Sequence, residues 1–208
     1  MRACPNCLED LIVPGPDEQT ARKLPLPIIT PRLTLRRFAP EDWKDLLEFM
    51  PDEALFQYAG SSMHEDEILA WLERDRQIRL TTQAQTFWLG VVLNEPNKLV
   101  GYAGLALTDP LQAMLQLFLS RRYQRQGIAT EAVDALLGFC FEGIKLHRVT
   151  ATCDSRNVAA CKLFERVGMR LEAEFVKDTL GVAGWLNSVW YAALEEEYLD
   201  TGITQDPG

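Results

Sequence analysis

The chain contains an apolar run that passes through a glycine-containing loop into an amphipathic helix, and this arrangement limits the folds that it can adopt. Residues 113–119 are apolar almost throughout and predict a central strand, and a helix is predicted over residues 130–141. The loop between them contains Gly127. A strand that turns through such a loop leaves several main-chain N–H groups unpaired at the positive end of the helix. The segment therefore predicts an anion-binding site.

The patterns on either side of this segment predict an α+β domain, in part α/β, with helices on both faces of a mixed sheet of about six to seven strands. Helices are predicted to begin near Pro40 and at a capping pair formed by Ser62 and Glu65. A further helix follows residue 157. Strands are predicted over residues 32–38, 86–93, 98–105, 113–119, 148–153, 172–177 and 187–193.

A single domain is expected over residues 28–200. The five prolines that precede residue 28 predict an N-terminal tail or irregular arm over residues 1–27, and residues 201–208 predict a C-terminal tail. Cys4 and Cys7 have the spacing of half a zinc site, but no second pair supplies the remaining ligands. We therefore expect no metal site.

The acidic balance of the chain bears on its partners. The sequence has 30 acidic and 21 basic residues and a formal net charge of −9, which disfavours nucleic acid as a partner. A cationic substrate is compatible with this charge, although acidity that merely keeps a protein dissolved explains it equally well. No run approaches the roughly 20 apolar residues that a membrane span needs. We expect a cytoplasmic protein without a membrane partner.

Two common phosphate-binding loops do not occur in the sequence, namely G-x-x-x-x-G-K-[ST] and G-x-G-x-x-G. Arg122 and Arg125 place positive charge near Gly127. On this loop alone, a glycine at an ordinary strand-to-helix turn explains the pattern as well as a bound phosphate does.

The loop nevertheless resembles the coenzyme loop of a known family. Residues 124–129 are similar to the Q/R-x-x-G-x-G/A signature of the GNAT superfamily of acetyltransferases. Residues 127–132 resemble the helix start in the branch that acetylates ribosomal-protein N-termini. Residues 30–36, 157–169 and 184–192 resemble further segments of that branch in the same order. The resemblance implies a GNAT-like domain that uses acetyl-CoA as co-substrate.

The resemblance also implies where acetyl-CoA binds. Its pyrophosphate would be held by the main-chain amides of Gln124, Arg125, Gln126, Gly127, Ile128, Ala129 and Thr130. Its pantetheine arm would lie along the backbone of Leu117, Phe118 and Leu119. Asn157 matches the family asparagine that hydrogen-bonds this arm. It also has the position of an N-cap for the following helix, and the two roles are compatible.

The implied chemistry is direct transfer, in which a neutral amine attacks the thioester carbonyl and the thiolate of coenzyme A leaves. The backbone N–H of Leu119 is the expected oxyanion donor. Glu172 and Glu174 are the expected bases, with Asp178 on the same stretch and His64 as a weaker candidate. The sequence departs from the family at Met114, Phe164 and Asn187, where relatives often carry Glu, Tyr and Asp.

Two functions fit these observations. The first is an N-acetyltransferase, acting as a monomer or homodimer, whose acceptor is a protein N-terminal α-amine or a small cationic amine. The second is a non-catalytic acyl-CoA-binding sensor or scaffold, which the three departures from the family favour. Acidic residues near the expected acceptor cleft either steer a cation or simply face solvent, and they are Asp52, Glu53, Glu65, Asp66 and Glu67.

Overall fold

One mixed sheet with helices on both faces organises the part of the chain that the structure, a computed structural model, describes: residues 24–58, 62–78, 86–109, 111–181 and 184–200. The strands are β1 (Ile28–Ile29), β2 (Leu33–Arg36), β3 (Thr86–Leu93), β4 (Lys98–Asp109), β5 (Gln112–Leu119), β6 (Arg148–Asp154), β7 (Arg170–Gly181) and β8 (Gly184–Leu194). The α-helices are α1 (Trp43–Leu47), α2 (Glu65–Gln77), α3 (Ile128–Gly138), α4 (Val158–Arg166) and α5 (Glu195–Asp200).

The strand order is β1-β2-β3-β4-β5-β6-β8-β7. All neighbours pair antiparallel except β5 and β6, which are parallel. Their register runs from Gln112 opposite Arg148 to Leu115 opposite Ala151, whereas β5 continues to Leu119. The two strands therefore part beyond Leu115, and the opening between them positions the candidate site.

Side chains alternate between the two faces of the sheet, and each face is covered by its own pair of helices. On one face, α3 and α4 pack over strand residues such as Leu105 and Leu115. On the other face, α1 and α2 pack over Leu99 and Tyr102. Leu24 belongs to the first of these cores and is 3% exposed, so the buried region begins ahead of residue 28.

The predicted fold class is confirmed, and several elements differ locally from the prediction. The helix α2 begins at Glu65, and its capping carboxylate belongs to Glu67, which accepts the N–H of His64 at 2.9 Å. The predicted Ser62–Glu65 pair is therefore wrong by two residues. The helix α3 begins at Ile128 and continues into a π-turn over Phe139–Gly143. The eighth strand, β1, is only two residues long, which is too short to produce a sequence pattern.

Within the described ranges, no helix is long and apolar enough to cross a bilayer. The same ranges contain no group of three or more His, Cys, Asp or Glu side chains suited to a metal ion. Cys4 and Cys7 lie outside the described residues, as do the C-terminal residues 201–208.

Candidate active site

A cavity of about 1200 Å³ opens where β5 and β6 part. The end of β5, the loop before α3 and the first turn of α4 line one part of it. A group of aromatic side chains from α2, β3, β4 and β5 lines another part. The predicted residues that the cavity brings together are Leu117, Phe118, Leu119, Gln124, Arg125, Gly127, Ala129, Thr130 and Asn157. Gln126 and Ile128 do not line it.

The loop before α3 has the backbone of an anion site. Arg125 and Gly127 both have left-handed backbone conformations, with φ of 61° and 78°. When left-handed residues alternate with right-handed ones in this way, successive N–H groups turn toward one side. Gly127 is the N-cap of α3, no side chain caps the helix there, and the first helical bond runs from the Glu131 N–H to the Gly127 carbonyl. The N–H groups of the first helical turn therefore remain available to a ligand.

Not every predicted amide is equally available. The N–H of Gln124 already donates to the carbonyl of Arg121 at 3.3 Å. Gln126 supports the loop from behind, because its side-chain Nε2 donates to the carbonyl of Arg122 at 2.9 Å. Ile128 is buried, so only its backbone can serve a ligand. The donors best placed for an anion are thus those from Arg125 to Thr130.

A brace that the sequence did not reveal holds this loop against β2. The guanidinium of Arg32 donates from Nη1 to the carbonyl of Gln126 at 2.9 Å and from Nε to Glu131 at 2.5 Å. Thr30 donates its hydroxyl to the same carboxylate at 2.6 Å. Burial alone would raise the pKa of Glu131, but the hydrogen bonds from Thr30 and Arg32 outweigh it and lower the pKa below its usual value. Glu131 is therefore ionised and fixes the start of α3.

The end of β5 presents main-chain donors to the opening. The N–H of Ser120 donates to the carbonyl of Val100 on β4 at 2.9 Å. Because successive residues of a strand point their N–H groups to opposite sides, the N–H groups of Leu119 and Leu117 face away from β4. Beyond Leu115, β6 no longer pairs with that side. Within the described residues, the N–H of Leu119 therefore faces the opening and pairs with neither neighbouring strand.

Asn157 has one of its two expected roles in the structure. Its Oδ1 accepts the N–H of Ala160 at 3.2 Å and caps α4. Within the described part of the chain, its Nδ2 group makes no hydrogen bond, and the residue lines the cavity. The same side chain can thus cap the helix and donate to a ligand.

The described lining of the cavity carries positive charge and no negative charge. Its charged members are Arg121, Arg125, Lys162 and Arg166. No Asp, Glu or His occurs among the described lining residues. Such a surface suits the phosphates of a coenzyme and offers no side-chain carboxylate to the acceptor.

The structure does not support Glu172 and Glu174 as bases. Glu172 accepts hydrogen bonds from Arg148 and Arg170, which lower its pKa to about 2. A carboxylate with so low a pKa is a poor proton acceptor at neutral pH. Glu174 is exposed on β7, and Asp178 accepts the N–H and hydroxyl of Ser188. None of these carboxylates lines the cavity, because β7 lies at the far edge of the sheet.

The other singled-out positions also lie outside the cavity or cannot transfer a proton. His64 is exposed and does not line it. Asn187 accepts the N–H of Lys177 at 2.9 Å and lies on β8 outside the lining, as Met114 does on β5. Phe164 lines the cavity and is 6% exposed, but its ring has no proton to donate.

Replacing Glu172 with glutamine is expected to leave acetyl transfer at pH 7 within about threefold of the parent protein, because the side chain takes no part in the cavity. The change removes two surface ion pairs, those with Arg148 and Arg170, and is expected to cost at most about 1 kcal/mol of unfolding free energy at pH 7. Since the folded pKa lies below the ordinary 4.5, this stabilisation exists above about pH 4.5 and is lost as the pH falls toward 2. Thermal unfolding measured between pH 3 and 7 should show that the variant loses less stability than the parent protein as the pH falls. A large loss of kcat at full stability would contradict this reading.

Comparisons with known proteins agree with this geometry. Residues 32–170, more than half of the chain, match the sequence profile of the Acetyltransferase (GNAT) domain. The uncharacterized N-acetyltransferase YnaD of Bacillus subtilis (strain 168) is 28% identical over 174 residues, which cover 82% of this chain and 98% of YnaD. The solved GNAT-family acetyltransferase of Bacillus anthracis has a TM-score of 0.74 and 27% identity, covering 82% of this chain and 99% of its own.

Two further solved structures share the fold at lower identity. RimL, a ribosomal L7/L12 alpha-N-protein acetyltransferase solved with coenzyme A, has a TM-score of 0.72 and 16% identity, covering 81% of this chain and 98% of its own. Spermidine N-acetyltransferase of Vibrio cholerae, solved with CoA and spermine, has a TM-score of 0.70 and 18% identity, covering 80% and 98%. These two support the fold alone. The match of its sequence to the family profile and its similarity to YnaD show that the chain belongs to the GNAT family and is an acetyl-CoA-dependent N-acetyltransferase.

Proposed function

We propose that this protein transfers the acetyl group of acetyl-CoA directly to a primary amine that enters the same cavity, either a protein N-terminal α-amine or a small free amine. One observation carries the proposal: a single cavity joins the anion loop, the open edge of β5 and an aromatic acceptor region. Both substrates can therefore meet at Leu119 without a covalent enzyme intermediate.

The reaction forms one bond and breaks one. The lone pair of the amine attacks the thioester carbon, the carbon–sulfur bond breaks, and coenzyme A leaves as its thiolate. Negative charge develops on the carbonyl oxygen during the attack, and in this proposal the N–H of Leu119 donates to it. The nitrogen that has formed the amide bond loses one proton to solvent and the departing thiolate takes one up, so the products are the acetylated amine and the free thiol of coenzyme A.

The amine must be neutral when it attacks, and the cavity itself favours that form. An ammonium group that leaves water for an apolar region without a carboxylate pays a desolvation cost, which lowers its pKa. The described lining provides no carboxylate to offset this cost. We therefore propose that the acceptor binds as the free amine and that no side chain of the described lining acts as its base.

The pH dependence of the reaction is expected to follow the acceptor. If the amine binds in its neutral form, kcat/KM rises with pH until the free amine's own pKa is reached. For two acceptors of different basicity, the rising parts of the plots of kcat/KM against pH should therefore be displaced by the difference in the pKa values of the two amines. Steady-state rates measured between pH 6 and 10 check this. A common apparent pKa for both acceptors would instead reveal an ionising base on the enzyme.

Thiol release from acetyl-CoA in the presence of an amine panel tests the proposed activity. The panel includes N-terminal peptides, aminoglycosides, polyamines and simple arylalkylamines. We expect stoichiometric thiol release and acetylated product with at least one acceptor. Saturable acetyl-CoA binding without turnover on any amine would contradict the proposal and favour a binding module. A cytoplasmic location, a monomeric or homodimeric state and the domain limits 28–200 stay predictions.

A further inference from the structure

The acceptor region of the cavity is a continuous row of aromatic rings. Trp71 on α2, Trp88 on β3, Tyr102 on β4 and Phe118 on β5 all line the cavity. The ring centroids of Trp71 and Tyr102 are 5.3 Å apart, those of Trp88 and Tyr102 5.5 Å, and those of Tyr102 and Phe118 5.0 Å. Phe56 extends the row, with its centroid 5.4 Å from that of Phe118.

The sheet register builds this row. Phe118 is the cross-strand partner of Tyr102, and Trp88 is the partner of Gly104. A Cβ atom on Gly104 would lie only 2.5 Å from the ring of Trp88. Because Gly104 has no side chain, the indole of Trp88 can lie across the sheet at this position. Trp71, Trp88 and Phe118 remain half-buried rather than closed off, so their rings can contact a ligand.

The charge of the region does not suit a polycation. No described lining residue is acidic. Asp75, one helical turn beyond Trp71, is 3% exposed and outside the lining, and its carboxylate lies 4.0 Å from Arg37. The acidic residues expected to steer a cation also lie outside the lining, and Asp52 instead pairs with Arg121 at 3.4 Å.

Neighbouring rings of this region contact one another, with centroids 5.0–6.0 Å apart, whereas an aromatic cage presents separate ring faces around an ammonium group. They form a wall against which a flat apolar group can pack. Burial of one aromatic side chain against such a wall gains affinity without any counter-charge.

We infer that the acceptor, within the proposed activity, is a primary amine joined by a short linker to an aromatic or similarly flat apolar group. A free arylalkylamine and a peptide whose first residue is phenylalanine or tryptophan share this chemistry. The ring packs on the wall formed by Trp71, Trp88 and Tyr102. The amine then reaches the thioester beside Leu119 in its neutral form.

The test compares kcat/KM for 2-phenylethylamine, a phenylalanine-first tetrapeptide, ethylamine and spermidine, each corrected to the concentration of neutral amine. At least one aromatic acceptor is expected to exceed both ethylamine and spermidine by about 30-fold, which corresponds to about 2 kcal/mol. The better of the two aromatic acceptors shows whether the natural acceptor is a free arylalkylamine or a peptide with an aromatic first residue. Equal or faster turnover of spermidine would overturn the inference but not the acetyltransferase activity, whereas no turnover on any amine would contradict both.

A variant separates ligand packing from structural packing. Trp71→Leu is expected to lower kcat/KM for the preferred aromatic acceptor about tenfold while the Kd for acetyl-CoA stays within about twofold. Trp185→Leu is the matched control, since Trp185 is 62% exposed on β8 and outside the cavity, and it should change neither quantity. Trp88→Leu provides the same test if Trp71→Leu does not fold. Undiminished selectivity in a folded variant of the wall would overturn the inference.

Discussion

Replacing Gly127 with valine is expected to weaken acetyl-CoA binding by about 100-fold, or about 2.8 kcal/mol. Gly127 has a φ of 78°, where a β-branched residue costs about 1–3 kcal/mol. A Cβ atom there would also lie 3.2 Å from Nη2 of Arg32, the side chain that braces the loop. Relief of this strain rotates the N–H groups away from the pyrophosphate. Calorimetric titration with acetyl-CoA measures the loss, and circular dichroism checks the fold.

A second glycine in the same backbone conformation is a matched control. Gly168, which follows α4, has a φ of 83°, and a Cβ atom on it would meet nothing within 4 Å. It does not line the cavity. Gly168→Val should therefore destabilise the protein through strain while the Kd for acetyl-CoA stays within about threefold. Equal losses of affinity in the two variants, or an unchanged Kd in folded Gly127→Val, would contradict the proposed role of the loop.

Removal of the Leu119 N–H is expected to lower kcat by about 100- to 1000-fold, the range found when one oxyanion donor is removed. The α-hydroxy acid analogue of leucine, incorporated at this position, replaces the N–H with an ester oxygen and keeps the side chain. Because the donor acts mainly on charge that develops in the transition state, the Kd for acetyl-CoA should change much less than kcat. Single-turnover rates with a saturating amine measure the effect.

The control for this experiment uses the alternation of the same strand. Met114 lies an odd number of residues from Leu119, so its N–H faces β4, and the residue is outside the cavity lining. An ester at Met114 should cost about 1 kcal/mol of stability for the lost ladder bond and leave kcat within about threefold. If the ester at Leu119 lowers kcat no more than the ester at Met114 does, another group stabilises the oxyanion.

The strands and helices followed from the sequence where their signals are local. The apolar period of α3, the turn at Gly127 and the capping role of Asn157 depend on residues within a few positions of one another, and the structure agrees with each. The short strand β1 carries no pattern of its own. It forms because Ile28 and Ile29 pair with β2, and the hydrophobic pattern of the sequence does not indicate such a contact.

The site was predictable only in part, for the same physical reason. The brace between Arg32 and Glu131 joins residues 99 positions apart, and the ion pair that makes Glu172 a poor base joins residues 24 apart. The aromatic wall needs the register of three strands and the position of α2 together. Such contacts depend on tertiary packing, so the glycine-containing loop before α3 could be predicted from the sequence while the aromatic wall could not.

A crystal structure of the protein with coenzyme A would show directly whether the loop before α3 binds the pyrophosphate. We expect the pyrophosphate within hydrogen-bonding distance of the main-chain N–H groups between Arg125 and Thr130, with the pantetheine thiol beside Leu119. A pyrophosphate bound elsewhere, with this turn left empty at saturating coenzyme, would contradict the proposed role of the loop.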